Sequence, residues 1–96
     1  MTEYALSKRA DSDLVQIART SLAQWGPVQA ERYIGGLHEL FLRLAEFPNL
    51  GRNAGDIRSG YLRIESAAHI VFYKQTVDGI LIVRVLHERM DFSRHL

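Results

Sequence analysis

Apolar residues recur at helical spacing in the first half of the chain and at strand spacing in the second half. After a short alternating run at residues 3–7, two segments carry an apolar residue every three or four positions. The first stripe is Ala10, Leu14, Ile17, Ala18, Ser21, Leu22 and Trp25, and the second is Ala30, Tyr33, Ile34, Leu37, Leu40, Phe41, Leu44 and Phe47. This spacing predicts a short strand followed by two amphipathic helices.

Turn-forming residues mark the ends of these helices. Ser7 can cap the first helix by accepting a hydrogen bond from a main-chain N–H of its first turn. The pair Gly26-Pro27 separates the helices, since glycine favours the end of one and proline the first turn of the next. Pro48 ends the second helix, and the short connection predicts an antiparallel hairpin. Inside the second helix, Gly35-Gly36 suggests close packing against a neighbour.

Three runs of strand character follow an irregular connection at residues 49–60, whose glycines lack the spacing of a phosphate-binding loop. The runs cover residues 61–65, 68–75 and 80–86, and connections of hairpin length predict an antiparallel meander. The order is therefore β-α-α-β-β-β with a short C-terminal tail. We predict one α+β domain over residues 1–96, with the helical hairpin packed on a small antiparallel sheet that the first strand completes.

The last run, residues 80–86, contains one charged residue among apolar ones. Strand alternation predicts that Arg84 shares a face with Ile80, Ile82 and Leu86. An arginine in a central strand needs a carboxylate partner or an open face that water can reach, and Glu65 on a neighbouring strand is the expected partner. The polar stretch at residues 87–91 follows the strand directly, and it is the first place to look for function.

The composition excludes some classes of protein and site. The 96 residues contain no cysteine, so there is no disulfide and no thiolate metal site, which suits a cytoplasmic protein. No apolar run is long enough to span a membrane, and the N-terminus lacks the pattern of a signal peptide. The net charge is only +1, although arginines concentrate in the second half. These arginines could form a solvated surface with a few ion pairs, or a surface for an acidic partner or for RNA. The excess of positive charge is too small to predict strong binding of nucleic acid by the chain alone.

Two kinds of chemistry could use the polar residues of this chain. A metal site is not expected, because the spacing of His87, Glu88, Asp91 and His95 matches no standard ligand set. Metal-independent cleavage of RNA needs a base, an acid and cations for the phosphate. The cations could be Arg63, Arg84 and Arg89, and the acid and base could come from Glu65, His69, His87 and Glu88. A structural ion pair between Arg84 and Glu65 is the competing interpretation, and we favour it.

Several motifs, in order along nearly the whole chain, resemble the ParE-type toxins of the RelE/ParE superfamily. They are YALSKRADSDLVQI at residues 4–17, WGPVQAERYI at 25–34, FPNLGR at 47–52, IRSGYLRIES at 57–66, HIVFYK at 69–74 and IVRVLHERMDFSRHL at 82–96. The last motif is the most specific of these. The resemblance implies a RelE/ParE-like fold and a toxin of a type II toxin–antitoxin, or plasmid stabilisation, system.

The resemblance also implies partners. A ParD-like antitoxin would wrap the toxin with its C-terminal segment, and DNA gyrase would be the cellular target, with no cofactor. An RelE-like endoribonuclease is the alternative, for which Arg63, Arg84 and His87 fall near the superfamily's catalytic positions. No tyrosine follows Tyr73, so the C-terminal tyrosine of those ribonucleases is missing, and no catalytic residue is expected.

The sequence assigns two sets of contact residues. The edge of the second helical stripe and the arginine-rich half predict antitoxin contacts at Tyr33, Ile34, Phe41 and Arg58. The polar tail predicts target contacts at His87, Arg89, Asp91 and Arg94. Met90, Phe92 and Leu96 could instead dock the tail onto the body.

Overall fold

Two long helices cover one face of a five-stranded sheet in the structure, a computed structural model that describes residues 3–96. The elements are β1 (Glu3–Leu6), α1 (Lys8–Trp25), α2 (Pro27–Glu46), a 3-10 turn (Pro48–Leu50), β2 (Arg52–Asn53), β3 (Leu62–Ser66), β4 (His69–Gln75), β5 (Gly79–His87) and α3 (Phe92–His95). This architecture confirms the predicted α+β fold. No helix among these residues is long and apolar enough to cross a membrane.

The strand order in the sheet is β1-β5-β4-β3-β2. The predicted meander of β3, β4 and β5 is antiparallel, but β1 runs parallel to β5, so the sheet is mixed and the expectation of a wholly antiparallel sheet is wrong for this strand. Hairpin-length connections force neighbouring strands to be antiparallel, whereas β1 leads into the helices and has no such restraint. A Cβ atom at Gly79 would collide with the Glu3 carbonyl oxygen, so glycine permits this pairing. The connection predicted as irregular contains the two-residue strand β2.

The helix boundaries follow the predicted signals. The Ser7 hydroxyl accepts a hydrogen bond from the Ala10 N–H at 2.9 Å, which caps α1. Gly26 has φ of 84°, a conformation that glycine adopts readily, between α1 and α2. At Gly35 and Gly36 an added Cβ would meet nothing within 4 Å, so close packing does not explain this pair.

The sheet has a helix face and a tail face, each with its own buried cluster. On the helix face, Val71 and Tyr73 of β4 and Ile80, Ile82 and Val85 of β5 pack against α1 and α2. On the tail face, Ile70, Phe72 and Leu86 pack with Ala54, and Ile57, Tyr61, Phe92 and Leu96 cover them. Alternate residues of β4 thus serve opposite faces, as a two-residue period requires.

A β-bulge interrupts the alternation of β5. Phe72 pairs with Arg84 but the next residue, Tyr73, pairs with Ile82, so Val83 is the extra residue. Ile82 and Val85 both lie in the helix-face cluster as a result, and Arg84 lies in register with the tail-face residue Phe72. The prediction that Arg84 shares a face with Ile80 and Ile82 is therefore wrong, because strict alternation does not hold across a bulge.

Candidate functional site

Arg84 forms a two-point ion pair with Asp13 of α1. Its Nε and one terminal nitrogen donate to the two Asp13 carboxylate oxygens at 2.8 and 2.9 Å. Both side chains are nearly buried, and the hydrogen bonds that Arg84 donates to Asp13 raise the pKa of Arg84. The remaining terminal nitrogen donates to the His95 carbonyl oxygen at 3.0 Å, which ties the tail to the sheet. Arg84 thus connects α1, β5 and the tail.

The predicted partner of Arg84 is wrong. Glu65 pairs instead with Arg52, at 2.6 Å and in a solvent-exposed position. Adjacent strands place Arg52 opposite Arg63, so Arg52 lies closer to Glu65 than Arg84 does. The nearly buried guanidinium of Arg84 does pair with a carboxylate, as expected, but that carboxylate belongs to Asp13 on a helix distant in sequence.

The start of α1 closes most of the free edge of β5. β1 pairs with β5 only as far as Ile82, and beyond it Ser7 donates through its N–H to the Ile82 carbonyl oxygen at 2.9 Å and through its hydroxyl to the Val83 carbonyl oxygen at 2.6 Å. The Asp13 carboxylate then accepts the Val85 N–H at 3.0 Å. Side chains of α1 thus take the place of a neighbouring strand.

A cleft of about 420 Å³ lies between α1 and the C-terminal end of β5. Helical residues form one wall, and the turn into β4 and the end of β5 form the other. Its lining residues are Asp13, Gln16, Ile17, Thr20, Ser21, Gln24, Trp25, Ala68, His69, Val85, His87 and Met90. Trp25 and Met90 expose 55% and 44% of their surface at its rim, so the cleft offers apolar surface to a partner.

Two histidines that line this cleft lie together, and a tyrosine contacts one of them. The Tyr33 hydroxyl lies 2.6 Å from His69 Nδ1 and 3.1 Å from the Ser66 carbonyl oxygen, to which it donates. The His69 and His87 rings are 5.5 Å apart, centre to centre. Burial, and then the charge of His87, lowers the pKa of His69, so the imidazole is mostly neutral at pH 7. Burial also raises the pKa of Tyr33.

The tail is docked by apolar contacts and carries its charges outward. The Phe92 ring packs edge-on against Phe72 with ring centres 5.1 Å apart. Arg94 and Asp91 are largely exposed and only 3.9 Å apart at their closest charged atoms. Asp91 also caps α3 by accepting the Ser93 N–H at 3.2 Å.

The four predicted target contacts therefore have different surroundings. Arg89 and Arg94 are exposed, whereas Asp91 combines exposure with its capping role. His87 lies half-buried in the cleft, where its Nδ1 accepts the Arg89 N–H at 3.2 Å. Only the two arginines and Asp91 form an outward-facing charged surface.

The predicted antitoxin contacts are likewise dispersed. Phe41 is fully buried in the helix-face cluster, so its side chain has no exposed surface that an antitoxin could contact. We therefore no longer assign Phe41 to the antitoxin contacts. Tyr33 is half-buried at the cleft, and Arg58 donates to the Leu96 main-chain oxygen at 2.9 Å, which holds the tail. Ile34 lines a second, apolar groove between the helices, with Ala18, Leu22, Pro27, Ala30 and Glu31.

The structure does not bring the three candidate ribonuclease residues together. Arg63 and Arg84 both lie in register with Phe72 and hence on the tail face, on strands either side of it. His87 faces His69 and Tyr33 on the helix face, and Arg84 is engaged by Asp13. Arg63, Arg84 and His87 therefore do not converge on one phosphate-sized site. Within residues 3–96, no three histidine or carboxylate side chains group closely enough to hold a metal ion.

Sequence reasoning missed Asp13 and the cleft. The apolar stripe of the first helix leaves Asp13 out and includes Trp25, so neither residue is predicted to line a site. The one signal for Asp13 in the sequence is Arg84 in an apolar strand. It indicates that a carboxylate partner is needed but does not identify which carboxylate.

Comparison with known proteins gives consistent results. The model of a family described as ParE toxin of type II toxin-antitoxin system, parDE, matches residues 4–92. Toxin ParE1 of Caulobacter vibrioides is 40% identical over 96 residues, covering 100% of this chain and 99% of that protein. Toxin ParE1 of Mycobacterium tuberculosis H37Rv is 38% identical over 96 residues, covering 99% and 98%.

Two further matches extend this result. Toxin ParE of Escherichia coli is 32% identical over 97 residues, covering 100% of this chain and 94% of that protein. A solved chain titled "Chromosomal ParDE TA system from P. aeruginosa" superposes with a TM-score of 0.76 at 19% identity, covering 91% of this chain and 96% of that one. At this identity the structural likeness supports the fold alone.

Proposed function

Because this chain belongs to the ParE family of toxins of type II toxin–antitoxin systems, we propose that it inhibits growth by poisoning DNA gyrase and that a ParD-like antitoxin neutralises it. The ParDE system implies an antitoxin partner. Gyrase as the target and a ParD-like antitoxin come from the family resemblance. Gyrase acts on DNA in the cytoplasm, so the proposal places the toxin there, in a plasmid stabilisation system.

The tail is the proposed target-binding surface. Phe92 and Leu96 anchor it on the tail face, and the carbonyl oxygen of His95 is held by Arg84. The anchored tail presents Arg89 and Arg94 to solvent without strong ion pairs, since an exposed contact of 3.9 Å contributes little. Charged groups held on a fixed backbone without strong ion pairs suit recognition of another macromolecule. This arrangement is the observation that carries the proposal.

The antitoxin is proposed to cover the helical hairpin. The groove containing Ile34 is mostly apolar, and Leu22 and Val28 expose 52% and 65% of their surface near it. An amphipathic segment of the partner would bury these residues, which is the usual recognition mode for such grooves. Antitoxin and target surfaces are then different parts of the toxin.

Growth inhibition by tail variants tests the target role. We expect an Arg89→Ala, Arg94→Ala double variant to lose toxicity while it still folds and binds antitoxin. An Arg9→Ala, Arg43→Ala double variant is the matched control, because it removes two exposed arginines outside the tail. Induced cells should be scored for growth and for covalent gyrase–DNA complexes. Full toxicity of the tail variant would overturn the assignment of this surface.

Mapping of messenger RNA ends in the same cells separates gyrase poisoning from RNA cleavage. Gyrase poisoning predicts DNA damage with intact messages. New cleavage sites that disappear in an Arg84→Ala variant would instead establish the ribonuclease alternative, against the dispersed geometry of Arg63, Arg84 and His87.

A further inference from the structure

A short stretch of the β5 edge remains open inside the cleft between α1 and β5. β1 ends opposite Ile82, and the chain then turns into α1. Ser7 and Asp13 satisfy main-chain groups of β5 as far as the Val85 N–H. The strand continues to His87, so its last residues have no strand on this side.

The hydrogen-bonding ladder shows which groups face the open side. The Glu88 N–H bonds the Ala68 carbonyl oxygen at 2.8 Å, toward β4. Directions alternate along a strand, so the main-chain groups of Val85 and His87 point away from β4. Two contacts agree with this: the Val85 N–H bonds Asp13, and the His87 carbonyl oxygen accepts the Met90 N–H at 3.0 Å.

Two main-chain groups therefore face the cleft, the Val85 carbonyl oxygen and the His87 N–H. Among residues 3–96 no side chain hydrogen-bonds either of them. In a parallel pair of strands, the N–H of one residue donates to a carbonyl oxygen of the partner strand. The carbonyl oxygen of that same residue accepts from the N–H that lies two positions further along the partner strand. The open pair has this spacing, and β1 already runs parallel to β5. One residue of a second parallel segment would satisfy both groups.

The walls of the cleft specify the rest of the ligand. Ile17, Trp25 and Met90 favour an apolar side chain. Asp13 is the one carboxylate in the lining and is neutralised by Arg84, while His69 and His87 also line the cleft. Since the His87 Nδ1 accepts the Arg89 N–H, the other ring nitrogen of His87 carries a proton and can donate a hydrogen bond to an acidic group of the ligand. A helix cannot use the open edge, because its own main-chain groups are already bonded.

We propose that the antitoxin inserts an extended segment, carrying one apolar and one acidic side chain, into this cleft and pairs with Val85 and His87 as a strand parallel to β5. The inference rests on the proposed antitoxin partnership and goes beyond it, since it names a second contact apart from the helical groove. Main-chain pairing supplies affinity, and the cleft selects the side chain.

Hydrogen exchange of single amides tests the pairing directly. The probe is the full-length antitoxin of the same system, bound to the intact toxin. We expect exchange of the His87 N–H to slow by about tenfold or more in the complex, because it gains a hydrogen bond and loses contact with water. The Glu88 N–H is the internal control, since it is bonded to Ala68 in the free toxin and should change little.

A pair of tryptophan variants tests whether antitoxin binding requires an unobstructed cleft. Thr20→Trp fills the cleft from an exposed position of α1 and should weaken antitoxin binding at least about tenfold, a change of about 1.4 kcal/mol. Ala23→Trp adds the same side chain at an exposed position of α1 outside the lining and should bind normally. Unchanged circular dichroism confirms that both variants fold.

The outcomes separate the two proposals. A stable complex in which His87 exchanges as fast as in the free toxin overturns the strand pairing and leaves the antitoxin partnership intact. Protection of His87 that rises with toxin concentration, without antitoxin, identifies a second copy as the occupant and also overturns it. Absence of any complex with the unmodified toxin overturns both proposals.

Discussion

The helix face and the tail face of the sheet are closed by very different means. Two helices of 18 and 20 residues cover the helix face, whereas a loop and a four-residue helix cover the tail face. Among the described residues, twelve buried residues form the helix-face cluster and four form the tail-face cluster. Stability should therefore depend mainly on the helix face.

The tail face compensates for its small core with directed polar contacts. Arg84 and Arg58 each hold a main-chain oxygen of the tail, at 3.0 and 2.9 Å. Such hydrogen bonds hold the tail in position, but each contributes only modestly to the free energy of unfolding. A substitution in the tail should therefore have little effect on the rest of the fold. This difference agrees with the proposal that the tail binds the cellular target while the helix face stabilises the fold.

The largest expected effect tests the helix face. Leu37 is fully buried in that cluster, so Leu37→Ala should lower the free energy of unfolding by about 2–5 kcal/mol. Urea denaturation measures the change, with Leu42→Ala as the control because Leu42 lies on the same helix but is 55% exposed. An equal loss in the two variants would contradict this assignment of the core.

The next effect tests the connection between the faces. Arg84→Met removes three charge-assisted hydrogen bonds and should lower the free energy of unfolding by about 1.5–3 kcal/mol. A double-mutant cycle with Asp13→Asn should give a non-additive result, since the side chains contact each other directly. Additive losses would mean that the ion pair contributes nothing specific. Arg52→Met is the control, because its ion pair with Glu65 is exposed and should matter little.

A smaller effect is expected at the tail. Phe92 is half-buried, so Phe92→Ala should lower the free energy of unfolding by about 1–2 kcal/mol, below the roughly 3–5 kcal/mol of a fully buried phenylalanine. Toxicity should fall more than stability does, because the charges of the tail lose their fixed position. Growth assays at matched protein levels, beside denaturation, would show whether the two effects separate. A loss of stability as large as that of Leu37→Ala would erase the contrast between the faces.

The smallest expected effect is the pH dependence of stability that His69 contributes at the edge of the helix face. Since burial lowers the pKa of His69 below its ordinary 6.5, the unfolded chain binds a proton first as the pH falls. The contribution of neutral His69 to the free energy of unfolding should therefore be complete above about pH 6.5 and decline as the pH falls from there toward the lowered pKa of the folded state. Asp13 and Glu88 oppose the shift without reversing it. Denaturation at about pH 7.5 and 5.5 should show a smaller loss for His69→Gln, and identical losses would refute this role of His69.

Local signals along the chain predicted most of the elements. Ser7 caps α1 and Gly26-Pro27 separates the helices, because capping and turn formation involve residues close in sequence. The strands β3 and β4 follow the two-residue period, and β5 follows it on either side of its bulge. The short connections between these strands predicted the antiparallel meander. The motifs that resemble ParE toxins predicted the family, and the match over residues 4–92 confirms it.

Tertiary structure alone decided the features that make up the candidate sites. The bulge at Val83 depends on how β4 and β5 pack, and it moves Arg84 to the tail face. Asp13 reaches Arg84 across 71 positions of the chain, a pairing that no short-range pattern contains. The open edge at Val85 and His87 exists only because β1 stops early and α1 begins there. Local preferences determine which elements form, whereas their relative placement depends on packing between residues distant in sequence, and that placement creates the cleft and exposes the tail.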